Sequence, residues 1–201
     1  MALLDGKPVI QWTMERALKM ELNSKFIKQR VVLAVPDTPE SEPMLVLAKD
    51  LGVDNFCGSE LNVLKRYYDC ARFFDFKYIV RITGDCPFID PIVCSQVLQL
   101  LLWRKLDYVS NCYPVRTYPK GLDCEAFTFD ALEAAYKLSD QLQDWEHVTP
   151  WLKRTEGIKR GNVRQKEDMS NHNWCVDYPE DIQRLEDEIK QSQGRLIGLL
   201  S

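Results

Sequence analysis

The sequence predicts an α/β protein with a mostly parallel sheet covered by helices, and three observations carry that reading. Segments rich in β-branched residues alternate with segments of helical period along the whole chain, the pattern of strand–helix–strand units. The run Tyr78-Ile79-Val80-Arg81-Ile82-Thr83-Gly84-Asp85 reads as a buried strand that stops on a carboxylate, before a proline-punctuated turn into a helix. Open parallel sheets bind ligands at that end of their strands. A second aspartate has a similar setting in Trp174-Cys175-Val176-Asp177-Tyr178-Pro179.

The elements follow in order. Pro8 opens a helix over Val9–Leu22, with apolar residues at Val9, Ile10, Trp12, Ala17, Leu18 and Met20. Arg30–Val35 is a β-branched strand closed by Pro36-Asp37, and Glu42–Leu51 is a helix stopped by Gly52. A short strand at Asp54–Cys57 leads through Gly58-Ser59-Glu60 into a helix over Leu61–Phe74. The Tyr78–Asp85 strand, a helix over Pro91–Arg104 and a strand at Asp107–Ser110 come next. Beyond them the pattern gives a strand at Cys124–Phe129, helices at Asp130–Lys137 and Glu146–Arg154, a strand at Trp174–Val176, and a helix from Pro179 to about Gln193. Trp12, Trp103 and Trp151 lie on helical apolar patterns, as core or dimer-interface residues would.

No repeat, low-complexity stretch or linker divides residues 1–201, whose length suits one domain with one well-filled core. Hydrophobic residues make up 45% and charged residues 28%, with a net charge of −4, so the surface offers no broad attraction for nucleic acid or an anionic membrane. No apolar run reaches the roughly 20 residues needed to cross a bilayer, and Met1–Pro8 does not read as a secretory signal. Seven scattered cysteines, no Cys-x-x-Cys and two histidines argue against a structural zinc site. They read as small buried hydrophobes in a reducing compartment, which places the protein in the cytoplasm.

Proline position separates structural from functional aspartates. Asp90 directly precedes Pro91, the position of a helix N-cap. Asp177 stands one residue too early for that role before Pro179, and Asp85 lies outside the next helix. Two such carboxylates suit a hydrated divalent ion held against a phosphate. Glu180 and Asp181 complement the positive end of the last helix.

Several blocks, in order and at natural spacing, resemble the cytidylyltransferases of the spore-coat polysaccharide type, relatives of the synthetases that activate N-acylneuraminate and 3-deoxy-manno-octulosonate. They include Leu4-Asp5-Gly6-Lys7-Pro8, Gly58-Ser59-Glu60 through Arg66-Tyr67-Tyr68, and Val80–Pro87. The others are Asp107–Asn111, Tyr118–Glu125, Glu146–Pro150 and Trp174–Asp181. The resemblance implies a Rossmann-like nucleotidyltransferase three-layer sandwich and transfer of CMP from CTP to a sugar, with release of pyrophosphate. It implies Mg²⁺ held by Asp85 and Asp177, and a homodimer.

Other roles stay open between function and structure. Arg66 is a nucleotide contact or a solvated helix arginine; Ser59 is a nucleotide contact or a helix cap. On the Tyr78–Asp85 strand Arg81, Thr83 and Asp85 share one face, so Arg81 points at the same phosphates as Asp85 or else partners a buried acid elsewhere. Asp123 and Glu125 belong to the family's sugar pocket or to a surface hairpin. His147 binds the sugar, acts as a base, or ties down its own helix. The family's first strand and its Gly/Ser/Arg-rich phosphate loop ending in Pro-Gly-Lys have no counterpart before Leu4. The expected fold therefore lacks that strand, and a catalytically inactive nucleotide- or partner-binding homologue is the alternative to an enzyme. A glycosyltransferase on a similar sheet is a distant third reading, without the Asp-x-Asp motif such enzymes often carry.

Overall fold

Asp5 and Gly6, both at positive φ, turn the chain between β1 (Leu3–Leu4) and β2 (Lys7–Pro8), a tight antiparallel hairpin of the Asp-Gly kind. A computed structural model of the chain describes residues 1–22 and 27–191. Helix α1 (Val9–Leu18) follows Pro8 at its N-cap and ends short of the expected Leu22. Its core contacts are Val9 and Met14, in two separate clusters, whereas Met20 and Leu22 pack against a third, so the chain leaves the helix to bury them.

β3 (Val32–Pro36), α2 (Glu42–Asp50) and β4 (Asp54–Gly58) form a parallel unit in register from Val32 opposite Asp54 to Pro36 opposite Gly58. Helix α3 (Val63–Phe73) starts where the Asn62 side chain accepts from Lys65 N at 2.8 Å. Asn62 is thus the cap proposed for Ser59, whose hydroxyl instead accepts from Asn62 N at 3.1 Å. β5 (Tyr78–Arg81), α4 (Pro91–Arg104) and β6 (Tyr108–Ser110) come next, with Asp90 capping α4 through Ile92 N and Val93 N. The chain continues through β7 (Glu125–Thr128), α5 (Phe129–Leu138), α6 (Leu142–His147), α7 (Pro150–Arg154), β8 (Arg160–Asn162) and α8 (Pro179–Gln191). Gln193 lies outside the described residues.

The larger sheet has the order β5-β7-β6-β8 and is mixed, with β6 and β8 parallel and β7 antiparallel to both its neighbours. This departs from a mostly parallel sheet for a reason present in the chain: no helix separates β6 from β7. A helix-free return gives antiparallel neighbours, whereas a parallel pair needs a crossover. Asn111 ties the two ends of that return together, donating to Leu122 O at 2.6 Å and accepting from Cys124 N at 2.8 Å. β3 and β4 form a separate pair. Segment 174–176 joins no ladder and meets residue 120 only through an isolated bridge at Asn173.

Side-chain alternation shows the three layers. Tyr108 and Phe127 point into one core with Leu64 and Tyr68 of α3, Leu132 of α5 and Leu152 of α7. Their neighbours Val109 and Ala126 point into the opposite core with Val97 and Leu101 of α4. Both faces of the sheet are therefore covered, as in an α/β sandwich. Trp151 is buried, while Trp12 is half-buried with its indole N–H on Leu4 O at 3.0 Å. Trp103 is 74% exposed and so is not a core residue. Cys57 is also exposed, on the outer face of β4, contrary to the expectation of buried cysteines. Among the described residues no helix is long and apolar enough to cross a membrane.

Candidate active site

β5 stops at Arg81 because its ladder partner runs out there: Arg81 faces Glu125, the first residue of β7. Residues 82–85 leave the sheet as a loop rather than continuing the strand. Gly84 lets that loop lie on α1, since a Cβ there would stand 2.6 Å from Ile10 Cδ1, and Gly84 O accepts from the Thr13 hydroxyl at 3.2 Å. The loop delivers Asp85 to segment 174–177, where Val176 N donates to Asp85 O at 3.0 Å.

That backbone bond brings the two aspartates together. Ligand-capable atoms of Asp85, Cys175 and Asp177 all lie within 4.8 Å of one another. Asp177 is held from behind, because the Asp181 carboxylate accepts from Asp177 N at 3.0 Å and from Tyr178 N at 2.9 Å. Arg184 neutralises Asp181 at 2.9 Å. Among the described residues neither Asp85 nor Asp177 has an ion-pair partner, and Asp85 Oδ1 accepts from the Cys86 thiol at 3.4 Å. Two close, unpaired carboxylates with oxygen donors facing one space fit a divalent cation.

The other candidates are placed differently. Arg81 does not point at Asp85: its guanidinium pairs with Glu125 at 3.0 Å, the buried-acid partnership. Glu125 is 3% exposed, not part of a surface hairpin. It also accepts from Lys153 at 2.8 Å, Thr149 at 2.9 Å and the Tyr108 hydroxyl at 2.5 Å. Burial alone would raise the Glu125 pKa, but the charges of Arg81 and Lys153 and these hydrogen bonds hold it below the ordinary carboxylate range. With four donors on two oxygens it organises its surroundings and has little capacity left for a sugar. Asp123 precedes β7 and is clasped by Arg116, whose Nη2 donates at 2.7 Å. His147 ends α6 instead of starting a helix, because Val148 takes φ 70° and separates α6 from α7. It is exposed at that joint. Arg66 packs over Gly58, donates to Ser59 O and keeps a buried Nε with no partner among the described residues.

Sequence reasoning missed Cys175, although its spacing of two from Asp177 on an extended segment is a legible signal. Lys153, Thr149, Tyr108 and Arg116 had no local signal, since each meets its acid only through the tertiary fold. A surface depression of about 410 Å³ beside Tyr68, Arg72, Phe76 and Phe129 contains none of these candidates.

A mixed, doubly covered sheet with acids at the loop beyond a strand end is the Rossmann-like nucleotidyltransferase architecture. Solved structures agree. A cytidylyltransferase from Leptospira borgpetersenii matches with a TM-score of 0.84 and 28% identity, covering 94% of this chain and 78% of that one. A CMP:2-keto-3-deoxy-manno-octonic acid synthetase in complex with CTP matches in fold, with a TM-score of 0.69 and 16% identity over 94% of this chain and 90% of that one. The cytidylyltransferase family model matches residues 1–197, and the chain belongs to that family.

Among curated proteins, an uncharacterized protein of Methanocaldococcus jannaschii is 38% identical over 122 residues, 61% of this chain and 49% of that protein. The spore coat polysaccharide biosynthesis protein SpsF of Bacillus subtilis is 26% identical over 136 residues, 66% of this chain and 54% of that protein. The chain spans about half the length of these curated relatives.

Proposed function

We propose that this protein transfers CMP from CTP to a sugar hydroxyl, releasing pyrophosphate, as a step in making a polysaccharide precursor. Family membership supports nucleotidyl transfer, and the observation that carries the mechanism is the convergence of Asp85 and Asp177. In this reading the two carboxylates hold a divalent cation, Mg²⁺ in the simplest case, against the nucleotide phosphates. When bound, the cation would neutralise phosphate charge and polarise the attacked phosphorus.

The protein's own residues supply position. The Val176–Asp85 backbone bond and the Asp181 clasp fix the main chain under both carboxylates before substrate arrives, which limits the reorganisation that accompanies the reaction. The Arg66 guanidinium, close to the Ser59 turn through its bond to Ser59 O, offers a cation for the nucleotide. The Glu125 centre sets the shape of the sugar side by holding Arg81, Lys153 and Thr149 in place; Asp123 stands beside it on its Arg116 clasp.

The test is pyrophosphate release from CTP with a panel of acidic sugars and a divalent cation. Turnover that needs both CTP and sugar is expected, with Asp85→Asn reducing it sharply. A folded sample with no turnover, and with a CTP affinity unmoved by Asp85→Asn, would make this an inactive homologue.

A further inference from the structure

The corner that joins Asp85 to Asp177 contains a donor that the two-aspartate reading leaves unused. We propose that Cys175 is a third ligand of the divalent cation, so that the site prefers a sulfur-tolerant ion of the Zn²⁺ or Cd²⁺ type over Mg²⁺. This rests on the reading of Asp85 and Asp177 as the metal pair.

The geometry places Cys175 there by more than proximity. It stands two residues before Asp177 on an extended segment, so the two side chains leave the backbone on one side, while Val176 packs with the apolar residues around Trp174 and Leu185. The Cys175 backbone is held by two hydrogen bonds and packs closely against Gly121. Its N–H donates to Asn173 Oδ1 at 3.1 Å, its carbonyl accepts from Arg184 at 3.4 Å, and its N lies 2.7 Å from where a Gly121 Cβ would stand. These contacts fix the main chain from which the Cys175 side chain departs beside the two carboxylates.

The competing account is that Cys175 is merely a small core residue. It does touch the core, with its sulfur 3.8 Å from Cys86 Sγ. Position separates the two sulfurs: Cys86 is fully buried and donates to Asp85 Oδ1 at 3.4 Å, whereas the sulfur of the partly buried Cys175 lies within 4.8 Å of ligand atoms of both Asp85 and Asp177. The donor chemistry then decides selectivity. Mg²⁺ favours all-oxygen sets and keeps its waters. A sulfur beside two carboxylate oxygens favours borderline and soft ions, and coordination releases the S–H proton to the buffer.

The experiment titrates the full chain with cadmium chloride alone and with magnesium chloride alone, by calorimetry and by the ultraviolet sulfur-to-metal charge-transfer band. Wild type is expected to show the band, and Cys175→Ser to lose it. Affinity for Cd²⁺ should drop by about 10- to 100-fold or more in that variant, the scale on which even outer partners of a metal site act, while Mg²⁺ affinity is unchanged. Cys57→Ser and Cys86→Ser should keep the band. Cys175→Asp, an oxygen replacement that guards against a misfolded serine variant, should bind Mg²⁺ more tightly and show no band. A band that survives Cys175→Ser, or equal losses for both ions, overturns the sulfur assignment alone. If Asp85→Asn changes neither affinity, the metal pair fails and the sulfur ligand fails with it.

Discussion

Two acidic centres of this molecule use carboxylates in opposite ways. At Glu125 a buried carboxylate is met by Arg81, Lys153, Tyr108 and Thr149, so its charge is answered within the fold. At Asp85 and Asp177, partly exposed carboxylates face each other with no cationic partner among the described residues. The first arrangement secures the joint between β5, β7 and α7. The second leaves charge for something outside the chain to answer. The family blocks mark both regions alike; the partners distinguish them.

The sharpest way to break the contrast is Glu125→Ala. Removing one member of a buried ion pair strands Arg81 and Lys153, and a loss of about 3–5 kcal/mol is expected in denaturant unfolding. Next is Asp85→Asn, which should raise the reaction barrier by about 3–4 kcal/mol, the scale of losing a preorganised electrostatic group, yet leave stability within about 0.5 kcal/mol of wild type. A large stability loss there would make the two centres alike. Gly121→Ala should cost about 1–3 kcal/mol by overpacking. Its Cβ would fall 2.5 Å from Trp174 C at a φ of +90°, which should disturb cation binding more than the Glu125 centre.

The smallest effect is a slope with pH. The folded-state pKa of Glu125 is depressed, so its contribution to stability is present above the ordinary value of 4.5 and is lost as pH falls through the depressed one. Unfolding free energy of wild type should therefore decrease on acidification in that window, and Glu125→Gln should flatten the decrease. An identical slope in both proteins would mean that other carboxylates dominate.

Much of the scaffold could be read from local chemistry. Pro91 located α4 and made Asp90 its cap, and the strand–helix alternation located β3 to β6. What escaped was set by long-range pairing. Nothing near Arg81 announces that its strand ends where β7 begins, and three-residue β8 depends on the parallel partner β6. The reversal of β7 was legible in principle, since no helix lies between Ser110 and Glu125. In the site, Asp85 and Asp177 stood out because proline position freed them from capping. Of the two places open to Arg81 the one beside Asp85 fails, because the expected eight-residue strand has four residues and the alternation does not reach Asp85.

Gly121 has a practical consequence for anyone redesigning this protein. The turn that contains it and the stretch bearing Trp174 and Cys175 touch main chain to main chain, with no side chain between them to absorb an alteration. Grafts into this region can vary the exposed Val115, but position 121 is a hinge pin: any substituent there would pry its turn away from the stretch that carries Cys175 and leads to Asp177.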